Sequence, residues 1–396
     1  DIQNFKSIHH MHLQNIENAL ILVGQNNTGK TTVLDAVRAV GGDYRIGPED
    51  FREDGAKIEI RVSLFFTKED LQLLHRKGIV SQYRRWEAWL ADFEKKLPSY
   101  QDGTLTFTMS ANRSGRIRLK DGFLKHNPYI QEVFPKIYHV DTERRVEQLQ
   151  QDLWLLQEDE ILQRMRTQCC IFNQARTCTQ CFNCIGLIEQ KSPKELDVFE
   201  TSKLLDYKLY QLNLDTFAKK VNKSFHRNGG REEIHYSMNR DVEKILQVTT
   251  EIWQPAQHQT CPISRMGKGM RSIYLFSLLE AYTEMEESLP SILMIEDPEI
   301  FLHPRLQKVS GKILYRLSQK NQVIFTTHSP NLLPNFKTQQ IRQVVIKKDG
   351  SSGIREKTDI SAILDDLGYT AGDLMNVNFV FIVEGKQDKF RLPILL

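Results

Sequence analysis

Residues 24–31, GQNNTGKT, carry the clearest chemical signal in the sequence because they match the pattern G-x-x-x-x-G-K-[ST]. Glycines in this pattern let backbone N–H groups surround phosphate oxygens, and the lysine, here Lys30, reaches the outer phosphates of a nucleotide. The hydroxyl of Thr31 would hold Mg²⁺. An apolar run precedes the loop and residues 32–40 have helical spacing, so the sequence predicts the required strand–loop–helix arrangement. The predicted ATP-binding residues are Gly24, Asn26, Asn27, Thr28, Gly29, Lys30, Thr31 and Thr32.

Two later apolar runs end in polar residues that suit phosphate hydrolysis. The run at residues 292–295 is followed by Glu296 and Asp297. By role, Glu296 would belong to the shell of a bound Mg²⁺, and Asp297 would polarise the attacking water, with Glu299 as its substitute. His328 follows the run VIFTT and would sense the γ-phosphate from the carboxyl end of a parallel strand. A histidine that stood there alone would more often be structural.

These motifs resemble those of ABC-type ATPases, in particular the branch shared by SMC-like repair proteins and OLD-family nucleases. IQNFKSI at residues 2–8 resembles the first strand of that branch, and EDPEIFLHP and TTHSP resemble its Walker B, D-loop and H-loop segments. The resemblance implies an α/β fold: an ABC-type ATPase (P-loop NTPase) with a flanking antiparallel β-layer, a helical arm insertion with a Cys cluster, and the first strand of a Toprim domain. More than 250 residues separate the phosphate loop from the Walker B segment, so we expect a large insertion between them.

The segment SRMGKGMRSIYLFSLLEAY, residues 264–282, stands where such ATPases carry a glycine-containing signature. In this family the signature caps the ATP held by a partner's phosphate loop, so the resemblance implies a homodimer or higher homo-oligomer with composite sites. Ser264, Gly267, Lys268 and Gly269 would then donate to the γ-phosphate from a helix start. The alternative is that the two glycines only end a loop. The segment differs from the LSGGQ of transporters, which makes a transporter ATPase the weaker alternative.

Two departures from the family pattern favour slow hydrolysis, with ATP acting more as a structural switch than as fuel. Where the family has Asp-Glu, this chain has Glu296 and Asp297, and an aspartate is one methylene shorter than the usual glutamate. Where a Q-loop glutamine is expected, the sequence has IGPEDF, with Asp50 as a polar stand-in.

Alternating apolar residues at 57–66, KIEIRVSLFF, predict an antiparallel β-layer that continues through TLTFTM and GRIRLK. Arg113, Arg116, Arg118 and Lys120 lie in this layer and could contact phosphates, although such a run is more often a solvated strand face. From about residue 146 the pattern becomes helical. The predicted domains are an ATPase N-terminal half at 1–145, a helical dimerisation insertion at 146–221, an ATPase C-terminal half at 222–375 and the incomplete start of a Toprim nuclease domain at 376–396.

Five of the 6 cysteines cluster at residues 169–184. Cys178, Cys181 and Cys184 form C-x₂-C-x₂-C, and Cys169 or Cys170 is available as a fourth ligand. Four thiolates suit a structural, tetrahedral Zn²⁺. An Fe–S cluster is the second alternative and a set of free buried thiols is the third. We take the zinc ligands to be Cys170, Cys178, Cys181 and Cys184.

The last apolar run, in VFIVEGKQDK, delivers Glu384 to the end of a predicted strand. The run resembles the first strand of the Toprim domain that follows the ATPase in OLD-family proteins. There the glutamate acts with a later Asp-x-Asp pair that holds divalent metal ions for phosphodiester cleavage. The resemblance makes Glu384 the first catalytic residue of a nuclease domain, and we expect its other acids beyond Leu396.

The resemblance as a whole implies an OLD-family ATP-dependent endonuclease, in which ATP state and dimerisation regulate a metal-dependent Toprim nuclease that acts on DNA. Such proteins occur in Gabija- and retron-type antiviral defence. The implied partners are therefore a helicase-like second defence protein or a retron reverse transcriptase with its nucleic acid. The alternative is an ATP-switched clamp or sensor of a toxin–antitoxin-like defence system without nuclease activity of its own.

The composition is that of an ordinary soluble globular protein, with 40% hydrophobic and 26% charged residues in 396. The net charge is only +3, so the overall charge of the chain does not indicate nucleic-acid binding. No apolar stretch reaches the roughly 18 residues that would span a bilayer, and no signal peptide opens the sequence. Clustered rather than scattered cysteines favour a reducing compartment. The sequence therefore predicts a cytoplasmic protein without a membrane segment.

Overall fold

The computed structural model describes residues 1–53, 56–143, 170–172, 181–209, 215–234, 250–255, 258–283, 289–355 and 360–368. The chain divides into two compact units, one formed by Asp1–Arg144 together with Gly267–Leu396 and the other by Arg145–Met266. The domain boundaries expected at residues 145, 221 and 375 stay predictions.

The described ranges contain both strands and helices. The strands are β1 (Ile2–Phe5), β2 (Ile8–Met11), β3 (Ala19–Val23), β4 (Ile58–Phe65), β5 (Tyr100–Gln101), β6 (Thr104–Ala111), β7 (Ile117–Lys120), β8 (Ile137–Val140), β9 (Glu251–Gln254), β10 (Gln259–Pro262), β11 (Ile292–Ile295), β12 (Gln322–Thr327), β13 (Ile341–Ile346) and β14 (Ser352–Ile354). The α-helices are α1 (Lys30–Gly41), α2 (Lys68–Arg76), α3 (Trp86–Lys96), α4 (Tyr129–Val133), α5 (Ile185–Ile188), α6 (Val198–Leu209), α7 (Asp215–Arg227), α8 (Lys268–Thr283), α9 (Pro304–Ser318) and α10 (Ile360–Asp366).

A mostly parallel sheet forms the base of the first unit, with strand order β14-β13-β3-β12-β11-β8. The five strands from β13 to β8 run parallel, and β14 pairs antiparallel with β13 at the edge. Every residue of β3 and β11 is buried, as expected for central strands that are covered on both faces. Because parallel strands end at the same edge of a sheet, the segments that follow β3, β11 and β12 meet there.

The second sheet of this unit is antiparallel, with strand order β2-β1-β4-β6-β5 and β7 paired to β6. Its inward side chains, such as Ile60, Phe107 and Met109, belong to a core cluster that also contains Leu34 of α1. The antiparallel layer predicted from the alternating pattern is therefore confirmed. Its core packs against the helix that follows the phosphate loop and so supports that helix.

In the second unit, α5 and α6 surround a small apolar cluster built on Cys184, Ile185 and Ile188, and β9 pairs with β10. The first helical run expected for the arm, at residues 149–165, lies outside the described residues. The Toprim segment at residues 376–396 also lies outside them. No helix within the described ranges is long and apolar enough to cross a membrane.

Candidate nucleotide site

Lys30 lies at the centre of the predicted phosphate loop, as the first residue of α1. Its Nζ donates hydrogen bonds to the backbone oxygens of Gly24, at 2.9 Å, and Gln25, at 2.8 Å. Burial lowers the pKa of Lys30, while the carboxylates of Asp297 and Glu299 act in the opposite direction. The carbonyl oxygens of the loop therefore hold one ammonium group at the start of α1.

Backbone geometry explains why position 24 holds a glycine. Gly24 has a φ of 147°, and a Cβ there would lie 2.4 Å from the backbone oxygen of Val344 on β13. The Oγ1 of Thr28 donates to the backbone oxygen of Gln25 at 2.9 Å and braces the loop from within. The N-cap of α1 offers no capping side chain, and its first turn contains no acidic residue. The positive end of α1 is thus suited to an anion.

The other predicted loop residues lie around this curve. Asn26 and Asn27 are exposed, and Asn27 has a φ of 62°. Thr31 is exposed in the first turn of α1. The Oγ1 of Thr32 lies 3.3 Å from the Oγ of Ser7, which links the helix to the turn between β1 and β2.

Asp297 is the second residue after β11 and has a left-handed backbone, with a φ of 39°. That conformation is uncommon for a residue with a side chain. Thr326 on β12 holds it, because the hydroxyl of Thr326 accepts from the N–H of Asp297 at 3.0 Å and donates to its Oδ1 at 2.9 Å. This reciprocal pair orients the carboxylate at the sheet edge that carries the phosphate loop.

The carboxyl group of Glu299 is buried beside the end of β12. Its Oε1 accepts hydrogen bonds from the hydroxyl of Thr327, at 2.9 Å, and from the backbone N–H of His328. Its Oε2 is buried and has no hydrogen-bond partner among the described residues. Burial raises the pKa of Glu299 from 4.5 to about 7. These contacts suit Glu299 to holding the segment that carries His328.

His328 completes the group at this edge. Burial lowers the pKa of His328 below its ordinary 6.5; Lys30 acts in the same direction and Asp297 in the opposite one. A neutral imidazole has one N–H to donate. The structure therefore brings four predicted residues close enough for their charges to interact. They are Lys30, Asp297, Glu299 and His328.

Glu296 contacts His139, a residue whose role the sequence did not predict. Its Oε1 lies 2.8 Å from the Nε2 of His139 on β8, and each side chain is 16% exposed. Strand pairing explains the contact, since β8 runs parallel to β11 with Val140 opposite Ile295. A histidine in mid-strand gives no signal in the sequence, because its neighbour comes from an element more than 150 residues away.

The predicted signature begins α8, and its glycine at position 269 has a local role. A Cβ on Gly269 would lie 2.7 Å from the backbone oxygen of Phe301, so glycine lets the helix start approach the loop after β11. The Nζ of Lys268 lies 4.3 Å from the centroid of the Phe301 ring. Gly267 and Lys268 are exposed, and so is Ser264 in a short 3₁₀ turn of the other unit. Donation to a partner's γ-phosphate stays a prediction for these residues.

Asp50, the expected stand-in for a Q-loop glutamine, uses its carboxylate for contacts with its own segment and with Lys6, whose Nζ lies 3.8 Å from its Oδ1. Its Oδ2 accepts from the N–H of Gly47 and its Oδ1 from the hydroxyl of Tyr44, both at 2.8 Å. The residue is 1% exposed. These bonds shape the loop that follows α1.

Comparison with known proteins agrees with this geometry. A family model for the AAA ATPase domain (AAA_15) matches residues 1–333. The chain belongs to this AAA ATPase family. The match covers the phosphate loop, the acids after β11 and the end of β12, so the predicted α/β ATPase fold is confirmed.

A curated relative of this AAA ATPase domain is the OLD nuclease of Thermus scotoductus, which is 24% identical over 327 residues. The aligned part covers 78% of this chain and 54% of the relative. The chain thus spans about half the length of the curated relative that it matches. The likeness confirms the expected resemblance to OLD-family ATPases.

Solved structures with a similar outline are Smc head domains. One, derived from Pyrococcus furiosus, has an extended coiled coil and is bound to the C-terminal domain of ScpA; it is 12% identical, with 93% of this chain and 97% of that chain covered and a TM-score of 0.48. Another, with a coiled coil and joint, derives from Pyrococcus yayanosii; it is 10% identical, with 93% and 98% covered and a TM-score of 0.49. Both TM-scores lie below 0.5, so the fold assignment rests on the family match and the strand order.

The residues of this AAA ATPase fit ATP and Mg²⁺. The loop at residues 24–31 offers backbone N–H groups and the buried ammonium of Lys30. Thr31 and Glu296 carry oxygen atoms of the hard kind that Mg²⁺ prefers. The unpartnered Oε2 of Glu299 shows that polar capacity remains at this edge.

We expect replacement of His139 by alanine to weaken Mg²⁺ use rather than ATP binding. His139 orients Glu296, and loss of such a partner typically costs 10–100-fold in metal affinity. The Mg²⁺ concentration for half-maximal ATP hydrolysis should therefore rise about 10-fold, with kcat largely restored at saturating Mg²⁺. A Mg²⁺ titration of the ATPase rate measures this. His9→Ala, an exposed histidine beside Glu53, is the matched control. A fall in kcat that no Mg²⁺ concentration restores would contradict the positioning role.

The buried carboxyl group of Glu299 should make stability depend on pH. Because its pKa rises from 4.5 to about 7 on folding, the folded protein keeps a proton between these values that the unfolded chain has released. The free energy of unfolding should fall by up to about 3 kcal/mol as the pH rises through this window. Glu299→Gln cannot ionise and should remove this part of the pH dependence, whereas the exposed Glu87→Gln should leave it. Urea unfolding at pH 5 and pH 8 measures the change in the free energy of unfolding for each protein. An equal change for wild type and Glu299→Gln would refute the assignment.

The remaining predicted sites fall partly or wholly outside the described residues. Cys178 and Glu384 lie outside them, while Cys170, Cys181 and Cys184 lie within them. Burial raises the pKa of Cys184, and the nearby Lys203 opposes this. Within the described residues no group of three His, Cys, Asp or Glu side chains is placed to hold a metal ion. The zinc site therefore stays a prediction.

Proposed function

We propose that this chain is the ATP-binding and ATP-hydrolysing core of an OLD-family DNA endonuclease, in which ATP state and dimerisation regulate a metal-dependent Toprim nuclease. The observation that supports the ATPase part best is the meeting of Lys30, Asp297 and His328 at one edge of a parallel sheet. The likeness to the Thermus OLD nuclease supports the nuclease part. A role in bacterial antiviral defence is proposed from the same likeness.

Hydrolysis would follow from the positions of these side chains. The ammonium of Lys30 would bind the β- and γ-phosphate oxygens in place of the two backbone oxygens of its loop. The carboxylate of Asp297 would accept a hydrogen bond from the attacking water and take its proton as the new O–P bond forms and ADP leaves. The N–H of His328 would donate to a γ-phosphate oxygen. Mg²⁺, held by Thr31 and Glu296, supplies charge neutralisation at the phosphates.

Dimerisation is proposed because the signature residues are exposed at the start of a helix. Gly267 and Lys268 face solvent, and the first turn of α8 contains no acidic residue. Such a helix start can donate to an anion carried by a second protomer. ATP would then lie between two chains and join them, and hydrolysis would release them.

Fewer observations support the nuclease part of the proposal. Glu384 would be its first catalytic acid, acting with divalent metal ions on DNA. A structural Zn²⁺ on Cys170, Cys178, Cys181 and Cys184 is proposed for the second unit. A helicase-like defence protein or a retron reverse transcriptase is the proposed partner class.

The test uses the full-length protein that carries this chain. Light scattering after size-exclusion chromatography, with and without ATP and Mg²⁺, should show a larger species with ATP. Nicking of a supercoiled plasmid should require Mg²⁺ and be lost in Glu384→Ala, which should keep its ATPase rate. Equal cleavage by wild type and Glu384→Ala would exclude the nuclease role of this residue. Absence of all cleavage together with ATP-dependent assembly would favour the clamp or sensor instead.

A further inference from the structure

The hairpin formed by β6 and β7 places basic side chains in a regular row on the solvent side of the antiparallel sheet. Leu119 is 2% exposed and faces the core, while Arg116 and Arg118 are exposed. Side chains alternate along a strand, so Arg118 and Lys120 share the outer face of β7, and Arg116 is the exposed residue just before the strand.

Strand register extends this row across the sheet. Thr108 of β6 lies opposite Lys120 on one side and opposite Arg61 of β4 on the other. Arg61 is exposed and therefore belongs to the same outer face. Arg61, Arg116, Arg118 and Lys120 are called the basic face below.

Acidic residues offset little of this charge. Residues 104–126 contain five Arg or Lys and one acid, Asp121. Asp121 is fully buried, where it accepts from the N–H of Ser99 at 2.9 Å and from the Nδ2 of Asn127 at 2.8 Å. Glu59 on β4 is 3.0 Å from the Nζ of Lys120 and offsets one of the four positive charges of the basic face. The arginines of the basic face therefore give it a net positive charge.

Phe123 adds an unusual feature beside the basic face. It lies in the turn closed by the bridge between Asp121 and Leu124, directly after β7. Its side chain is fully exposed, at 102%. Both faces of this ring are open to solvent, so a flat partner can stack on it.

We propose that the basic face binds the sugar–phosphate backbone of single-stranded DNA and that Phe123 stacks on an unpaired base. Guanidinium groups match phosphate geometry and stack on flat surfaces, and exposed aromatic rings beside basic grooves are how proteins hold unpaired bases. A duplex hides its base faces from Phe123, and an acidic peptide offers this ring no regular row of flat partners. The proposal deepens the proposed function, from which it takes DNA as the nucleic acid.

The test measures fluorescence anisotropy of a labelled 20-nucleotide single-stranded DNA, titrated with the full-length protein at several salt concentrations. Arg116→Ala/Arg118→Ala should bind about 10-fold more weakly, and the salt slope of log K should fall by about 1.4, or 0.7 for each lost phosphate contact. Phe123→Ala should lose about 10-fold in affinity with an unchanged salt slope, because stacking carries no charge.

The controls separate this surface from general electrostatics. Lys308→Ala/Lys312→Ala removes two exposed charges from α9 and should bind like wild type, and Arg116→Lys/Arg118→Lys should keep most of the salt slope. Equal weakening by the α9 variant, or no weakening by Phe123→Ala, would overturn the proposal. So would tighter binding of the duplex or of RNA with the same sequence.

The same proteins keep this result apart from the proposed ATPase. All surface variants should hydrolyse ATP at the wild-type rate without DNA, because the basic face is not part of the nucleotide site. A wild type that binds single-stranded DNA but does not hydrolyse ATP would refute the proposed function and leave the basic face standing. Normal ATP hydrolysis without binding of single-stranded DNA would refute the proposal for the basic face and leave the proposed ATPase standing.

Discussion

Replacing Lys30 by alanine should abolish detectable ATP binding and lower ATP hydrolysis by about 10³-fold or more. The side chain lies inside the loop and its Nζ is already held by the backbone oxygens of Gly24 and Gln25. Lys30 is the first residue of α1, where the helix end and the loop converge. Titration with a fluorescent ATP analogue measures the affinity, and a coupled assay measures the rate.

The control for this change is Lys348→Ala, which removes an exposed lysine from the turn between β13 and β14. Lys348→Ala should bind ATP like wild type. The thermal midpoint of Lys30→Ala should remain within a few degrees of wild type, because the lost hydrogen bonds are offset by removal of a desolvated charge. ATP binding with unchanged affinity would show that residues 24–31 are not a phosphate loop.

The phosphate loop was predictable because its chemistry is local. A strand, six loop residues and a helix start follow one another, so the sequence alone specifies which backbone groups surround Lys30. The alternating strands of the antiparallel layer were predictable for the same reason, since a repeat of two residues assigns each side chain to a face. The position of Leu119 between Arg118 and Lys120 illustrates this, because burial follows the alternation.

The contacts that tune the site were not predictable, because they depend on strand order. Sequence spacing gives no indication that β8 lies beside β11, and without that neighbour His139 is one histidine among 11. The sequence gives no signal for Thr326 either, because a threonine in a buried strand is common. Its bond to Asp297 arises because β12 lies next to β11. Motifs thus predict the reactive groups, and topology determines which residues contact them.

Glu299 shows where a motif leaves a role open. The sequence offers Asp297 and Glu299 as alternative bases, two residues apart. The structure distinguishes their surroundings. Glu299 gives its Oε1 to Thr327 and to the N–H of His328, whereas Asp297 is held by one threonine at the edge where Lys30 lies. On this basis we propose that Asp297 is the base and that Glu299 positions His328.

We therefore expect Asp297→Asn to lower kcat for ATP hydrolysis by about 10²–10³-fold while ATP still binds. Asparagine keeps the size of the side chain and can still accept from Thr326, but it cannot take a proton from water. Because the nucleotide would persist, the ATP-dependent dimer should also live longer than in wild type. Single-turnover hydrolysis and light scattering measure the two effects.

Glu299→Gln is the matched comparison, since it removes a carboxyl group of the same segment. Glutamine keeps an oxygen for Thr327 and the N–H of His328, so kcat should stay within about 10-fold of wild type at pH 7. If instead Glu299→Gln is the inactive variant and Asp297→Asn turns over, the roles are exchanged. The shorter aspartate would then have failed to reach the water, and the buried Oε2 of Glu299 would be the atom that accepts its proton.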